Sequence, residues 1–298
     1  MTGLTIGLPV YNGEKLLARS LDRLLAQTYS DFTLIISDNA STDDTPNICG
    51  EFTKRDRRIR YFRQDANLVW NENFRFVLMQ ANTPYFMWAT HDDLWAPSFA
   101  EANIALLEQR PAAVCSVSKI VYFDLAGNRY LAPDTGILTG TQTDRIKRFL
   151  LHLNNCGRLY GVYRTDALKM SFPPNLRFYA SDWLVVALTM LHGEHLEVGE
   201  ILLEREAQPL GHYARAFGRT DRFEPQLLDW IVPLHRLNGE LRRRLPQSVW
   251  KSILPALAYL NLRQSVQMQE YRFPVLKGVI APLRDLTAEL LHRRWRSG

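Results

Sequence analysis

Apolar residues recur along this chain with two spacings, and the alternation between them divides it. Leu4-Thr5-Ile6-Gly7-Leu8 is a short apolar run of strand type, closed by the turn chemistry of Pro9-Val10-Tyr11-Asn12-Gly13. Leu16, Leu17, Ser20, Leu21, Leu24 and Leu25 then repeat at the spacing of one helix face, up to Gln27-Thr28. A strand over 32–37 leads to a helix capped by Ser41 or Thr42. A strand over 59–62 leads to a helix opened by Asn71 or Asn73 and running to about Ala81. A fourth apolar run, Tyr85 to Ala89, follows, and Pro97 suits the first turn of the next helix. Strands alternating with helices imply a parallel sheet. Right-handed crossovers then bring the ends of the first, second and fourth strands to one rim.

Beyond Arg110 the pattern loosens. A β-branched strand covers 113–123, with a turn at 124–128, a helix over about 143–153 and a strand over 158–164. Ser181-Asp182-Trp183 opens an apolar helix, and 196–205 alternates as a strand. Residues 207–218, with His212-Tyr213, read as a loop. From about Arg222 onward the spacing is helical, over 222–244, 247–268 and 279–294. The chain therefore divides into an α/β body, 1–218 (halves 1–110 and 111–218), and a helical extension, 219–298. Trp88, Trp95 and Trp183 read as packing residues, and Arg158 and Arg177 as solvated surface.

Composition narrows the class. With 298 residues, 46% hydrophobic and 22% charged, the chain reads as globular, and it holds no apolar run long enough to span a membrane. A strand starting at once after Met1-Thr2-Gly3 leaves no room for a signal peptide. Cys49, Cys115 and Cys156 are far apart, lack zinc spacing and read as buried thiols of a reducing compartment. The net charge of +5 is uneven: from Gly211 onward 15 Lys and Arg face 7 Asp and Glu. No nucleic-acid motif is interleaved with these basic residues, so the partner they suggest is an anionic membrane surface and not nucleic acid.

Chemistry concentrates in Thr90-His91-Asp92-Asp93, at the end of the fourth strand. Ligands of open α/β sheets bind beyond the carboxyl ends of strands. Two adjacent carboxylates there are costly unless a cation offsets them. A hard divalent ion carrying a substrate's phosphates is a natural candidate. The alternative is that both acids merely cap the helix that follows.

With these residues in hand, about 4–215 of the chain resembles the family 2 glycosyltransferases. The resemblance is carried by Gly7-Leu8-Pro9-Val10-Tyr11-Asn12-Gly13, Gln27-Thr28, Ser37-Asp38-Asn39-Ala40-Ser41-Thr42-Asp43, Asn67 with Asn71 and Asn73, His91-Asp92-Asp93 with Trp95 and Pro97, and Ser181-Asp182-Trp183. It implies the α/β GT-A fold: a Rossmann-like, mostly parallel sheet flanked by helices, here with a C-terminal helical extension. It also implies inverting transfer of a sugar from a nucleotide diphosphate to an acceptor hydroxyl. By position Pro9, Val10, Tyr11, Asn12, Asp38, Asn39, Asn67 and Asn73 would hold the nucleotide, with Asp92 facing the ribose or donor sugar. Asp93 would ligate Mn²⁺ or Mg²⁺, with His91 and His212 as further candidate ligands. Asp182 would be the general base, although it could equally cap its helix.

Two departures stand out. His91 replaces the family's usual Asp at the start of the metal motif, leaving one direct carboxylate. Asn39 stands where an Asp often reads the base; its amide oxygen can accept from a pyrimidine N–H, which fits a UDP- or dTDP-sugar. The expected setting is bacterial cell-surface polysaccharide assembly, on a saccharide or lipid-linked acceptor. The expected location is the cytoplasm, peripheral on the inner face of the membrane. Other readings are a sugar nucleotidyltransferase, which would want a Gly-rich phosphate loop that Pro9–Gly13 does not supply, and a carbohydrate-binding scaffold without turnover.

Overall fold

Leu4–Val10 (β1) is buried along its whole length, as a central parallel strand covered on both faces must be. In the computed structural model, which describes residues 3–124, 127–206 and 227–273, β1 is the centre of a parallel group. Phe32–Asp38 (β2) and Tyr85–Trp88 (β4) flank it, and Ile59–Arg63 (β3) lies outside β2. The crossovers are the helices Leu17–Leu25 (α1), Thr45–Arg55 (α2) and Trp70–Met79 (α3). Helix α3 crosses β1 so closely that a Cβ at Gly7 would lie 2.7 Å from Val77 and Phe86.

The second half continues the same sheet with mixed direction. Leu94–Trp95 (β5) and Phe99–Gln109 (α4) precede the long strand Ala113–Phe123 (β6) and the short Arg129–Leu131 (β7). Gln142–His152 (α5) carries a capping box between Thr141 and Asp144. A 3₁₀ turn, Gly157–Tyr160, leads into Val162–Arg164 (β8) and Thr165–Met170 (α6). Ser181–Thr189 (α7) and Glu194–Glu206 (β9) follow, then the helices Leu227–Ile231 (α8), His235–Arg244 (α9) and Gln247–Arg272 (α10). The order across the sheet is β3-β2-β1-β4-β8-β6-β9-β5, with β7 on β6. Strand β8 runs antiparallel to both β4 and β6, β6 and β9 are parallel, and β5 is antiparallel to β9.

Side chains alternate between two cores. Tyr85 and Met87 join Leu4, Ile6 and Leu8 under α1, α2 and α4. Phe86 and Trp88 join the other face with Phe149, Trp183 and Leu184. Leu237, Leu241, Ile253, Leu257 and Leu260 belong to that second core, so α9 and α10 pack on the body.

Several local expectations change. Helix α2 begins at Thr45, not beside Ser41 or Thr42, because those hydroxyls serve the neighbouring loop: Ser41 Oγ accepts from Asn12 N (2.9 Å) and Thr42 Oγ1 donates to Asn12 Oδ1 (3.4 Å). Pro97 precedes α4, its carbonyl accepting from Thr28 N (2.9 Å). The strand expected over 158–164 is half a 3₁₀ turn. Arg158, expected at the surface, is 2% exposed, whereas Arg177 is exposed and pairs with Glu72 (2.9 Å). The helix expected over 222–244 includes two separate helices, α8 and α9. The helix expected over 279–294 lies outside the described residues. All three cysteines are buried free thiols, and among the described residues no helix is long and apolar enough to cross a membrane.

Candidate active site

The ends of β1, β2 and β4 do share one rim, and a hydrogen-bonded scaffold fixes it. Asn39 N donates to Val10 O (2.8 Å), tying β2 to β1. Asp38 is fully buried and accepts from Ser41 N (2.8 Å) and Tyr61 Oη (2.9 Å). Asn39 clasps the loop ahead of α3: its Oδ1 accepts from Leu68 N, and its Nδ2 donates to Leu68 O and Asn67 Oδ1, each at 2.8 Å. Asn73 bolts α3 to β2, accepting from Ser37 Oγ (2.6 Å) and donating to Ser37 O (3.0 Å). Asn12, in the left-handed region at φ 51°, accepts from Thr42 N (2.9 Å).

Of the residues expected to hold a nucleotide, Tyr11, Asn12 and Asn67 therefore present exposed surface on the rim, and Asp92 is half-buried beside it. Pro9, Val10, Asp38, Asn39 and Asn73 lie beneath it. Asn39 is 5% exposed, and its Oδ1 already accepts from Leu68 N.

The acidic pair is asymmetric. Asp93 is 2% exposed, accepting from Thr90 Oγ1 (2.5 Å) and from Arg205 Nε (3.0 Å). Arg205, near the end of β9, lies flat against Tyr160, its Cζ 3.6 Å from the ring centre. The expectation of a divalent ion on Asp93 thus meets a carboxylate that already has a cation, the guanidinium. Asp92 is the acid left at the rim, with His91 half-buried against Gly13. His212 lies outside the described residues, among which no three His, Cys, Asp or Glu side chains converge as a metal cage. One carboxylate fits a hard ion that shares its coordination with substrate phosphates; it does not fit an ion caged by protein alone.

Asp182 sits in the first turn of α7, where Ala180 at φ 64° turns the chain sharply into the helix. Its cleft is tight and walled by Trp70, Phe74 and Phe172, with Asn71 and Ser181 beside the acid. Burial pushes the Asp182 carboxyl up to about 6, against the Asp182 and Trp183 backbone N–H groups and the Cys156 thiol, which favour its charged form. Cys156 is the residue before the Gly157–Tyr160 turn, and Tyr160 at the far end packs on Arg205. That turn therefore runs from a residue beside Asp182 to one beside Arg205.

Residues 5–171, more than half of the chain, match the sequence profile of Glycosyl transferase family 2. The chain belongs to that family. Among its relatives, glycosyltransferase GlyA of Streptococcus pneumoniae is 27% identical over 179 residues, 56% of this chain and 25% of GlyA. The chain spans 22% to 54% of the length of the curated relatives compared with it. S. aureus TarS 1–349 in complex with UDP-GlcNAc superposes with a TM-score of 0.60 at 15% identity, covering 98% of this chain and 92% of that one. The mannosyltransferase PcManGT from Pyrobaculum calidifontis, in complex with GDP-Man and Mn²⁺, gives 0.61 at 15%, covering 99% and 83%. The shared fold is GT-A, with a mostly parallel sheet flanked by helices and a C-terminal helical part.

Sequence reasoning gave no part in the site to Arg205, Cys156, Asn71 or Ser181, although Asn71 and Ser181 stand within the motifs it singled out. Asn71 left a trace: seven residues before the buried Leu78, it is an amide on a helix face that should be apolar.

Proposed function

We propose that this chain transfers a glycosyl group from a nucleotide diphosphate sugar to an acceptor hydroxyl, with Asp182 as general base. The observation that carries the reading is the Asp182 carboxylate set among aromatic side chains, its proton affinity raised by burial, with the Gly157–Tyr160 turn linking its surroundings to the Arg205–Asp93 pair. The nucleotide would lie on the rim over Tyr11, Asn12 and Asn67, with a uracil or thymine against Asn39. Asp92 would hold Mn²⁺ or Mg²⁺ together with the diphosphate. Such an ion, when bound, neutralises the charge that grows on the leaving group. Asp93, locked to Thr90 and Arg205, keeps the Asp92 loop in position. Asp182 takes the proton of the acceptor hydroxyl as it attacks the anomeric carbon. A single base without a second catalytic carboxylate describes one displacement with inversion.

Release of free nucleoside diphosphate from UDP-, dTDP- and GDP-sugars, with and without Mn²⁺, tests the reading. Metal-stimulated release that Asp182→Asn and Asp92→Asn each abolish supports it; undiminished release in both variants refutes the site. The acceptor we favour is a lipid-linked saccharide of bacterial surface polysaccharide, met through the basic C-terminal stretch. If so, deleting residues 274–298 reduces flotation with anionic vesicles.

A further inference from the structure

A left-handed backbone at a residue other than glycine persists only where its surroundings hold it. Cys156, at φ 52°, is such a residue. What holds it is Asp134, a buried acid in the loop after β7. Asp134 Oδ2 accepts from Asn154 N (3.3 Å) and Asn155 N (3.1 Å), the two amides ahead of Cys156. On the other side, a Cβ at Gly157 would stand 3.6 Å from Asp134 Oδ1. One carboxylate thus grips the elbow both before and after Cys156. Arg263 of α10 fastens the same elbow a little earlier, donating to Leu153 O.

The grip matters for what Cys156 touches. Its side chain is buried, with the thiol within reach of both Asp182 and Asp134. The thiol donates to the Asp182 carboxyl, whose other donors are the Asp182 and Trp183 backbone N–H groups. Those two belong to α7 itself, so the thiol is the contact that depends on a separate piece of chain. We infer that Asp134 is a positioning residue for the base: by pinning the Asn154 and Asn155 amides it aims the Cys156 thiol at the Asp182 carboxyl. Its part in the reaction rests on the transfer proposed above, whereas the tether does not.

Titration of the Asp182 carboxyl tests this, followed by carbon NMR on protein labelled at aspartate and assigned by the signal that Asp182→Asn removes. The residues lining its cleft from α3, the 3₁₀ turn and the loop ahead of α7 carry no titratable group. Cys156 and Tyr179 feel its charge, Arg263 faces Tyr179 from α10, and burial keeps both the thiol and the phenol protonated well above neutral pH. Cys156→Ala should move the Asp182 midpoint up by about half a pH unit or more, because a donor to the charged form is gone. Asp134→Ala should move it the same way, and the double variant no further than the larger single change. Asp134→Asn keeps an oxygen for the two amides and should leave the midpoint at its wild-type value. A plain charge effect has the opposite sign, since losing a neighbouring carboxylate lowers the midpoint in the Asn and Ala variants alike. That result overturns the inference. So does a midpoint unmoved by Cys156→Ala, or one that Cys156→Ala raises and Asp134→Ala does not. Asp134→Ser, too short to reach the amides, takes the place of Asp134→Ala if the latter does not fold. Should Asp182→Asn leave nucleotide release undiminished, the base reading falls by itself, and the midpoints still report the tether.

Discussion

A carboxylate that must accept a proton from an alcohol works best when its own proton affinity lies close to ambient pH. Asp182 reaches that range through burial, and burial has a measurable counterpart in stability. Folding raises its pKa from the usual carboxylate range to about 6, so the folded state binds the proton more tightly. The stabilisation from that proton is complete below about pH 4 and is lost as pH rises through about 6. Asp182→Asn should therefore lose at least ~10²-fold in transfer rate. At pH 7.5 it should gain about 1–2 kcal/mol in urea unfolding, less than the full linkage value because the side chain is half-buried, and the gain should vanish near pH 4. In the wild type, kcat/KM should climb as pH passes about 6 and level off above it. Asn73 is a different kind of polar residue, satisfied on both sides by Ser37. Asn73→Ala should cost about 1–3 kcal/mol in chemical denaturation. In the sequence these residues looked alike, as polar positions in matched motifs. Only the fold separates those facing the cleft from those fastening the rim.

At the scale of elements, the first four strands and their helices were legible because each is a short apolar run punctuated by Gly, Pro, Asn or Asp, and local pattern is enough to define them. The second half was less so. β8 runs against both neighbours, and β5 is a two-residue strand whose pairing depends on β9, a partner that no local periodicity announces. The same distance in sequence hid the Arg205–Asp93 pair, whose members lie 112 residues apart. That pair ties the acidic loop to β9, and both side chains are largely buried. Removing one member strands a charge, whereas removing both does not. Arg205→Met should destabilise by about 3–5 kcal/mol, and Asp93→Asn combined with Arg205→Met should recover most of that loss in a double-mutant cycle. Full additivity of the two substitutions would show that the pair is not coupled.

Across the whole molecule, the helical extension and the sheet share a core, with Leu260 of α10 fully buried in the cluster that holds Trp183 and Leu184. Leu260→Ala should lower stability by about 2–5 kcal/mol. It should also shift a single calorimetric transition, since a helix melting by itself would split the endotherm. This integration places α7, and Asp182 with it, between the sheet and the C-terminal helices. The Gly157–Tyr160 turn is held just as firmly. A Cβ at Gly161 would stand 2.7 Å from Ser116 O, so the strand it enters cannot slide along β6. The turn thereby acts as a gauge block, machined into the backbone, between the wall that holds Asp182 and the wall that holds Arg205. Under the transfer proposed above, a protein lengthened there by a single residue would keep its whole chemical toolkit and lose its calibration, still docking a donor while slowing delivery to the acceptor.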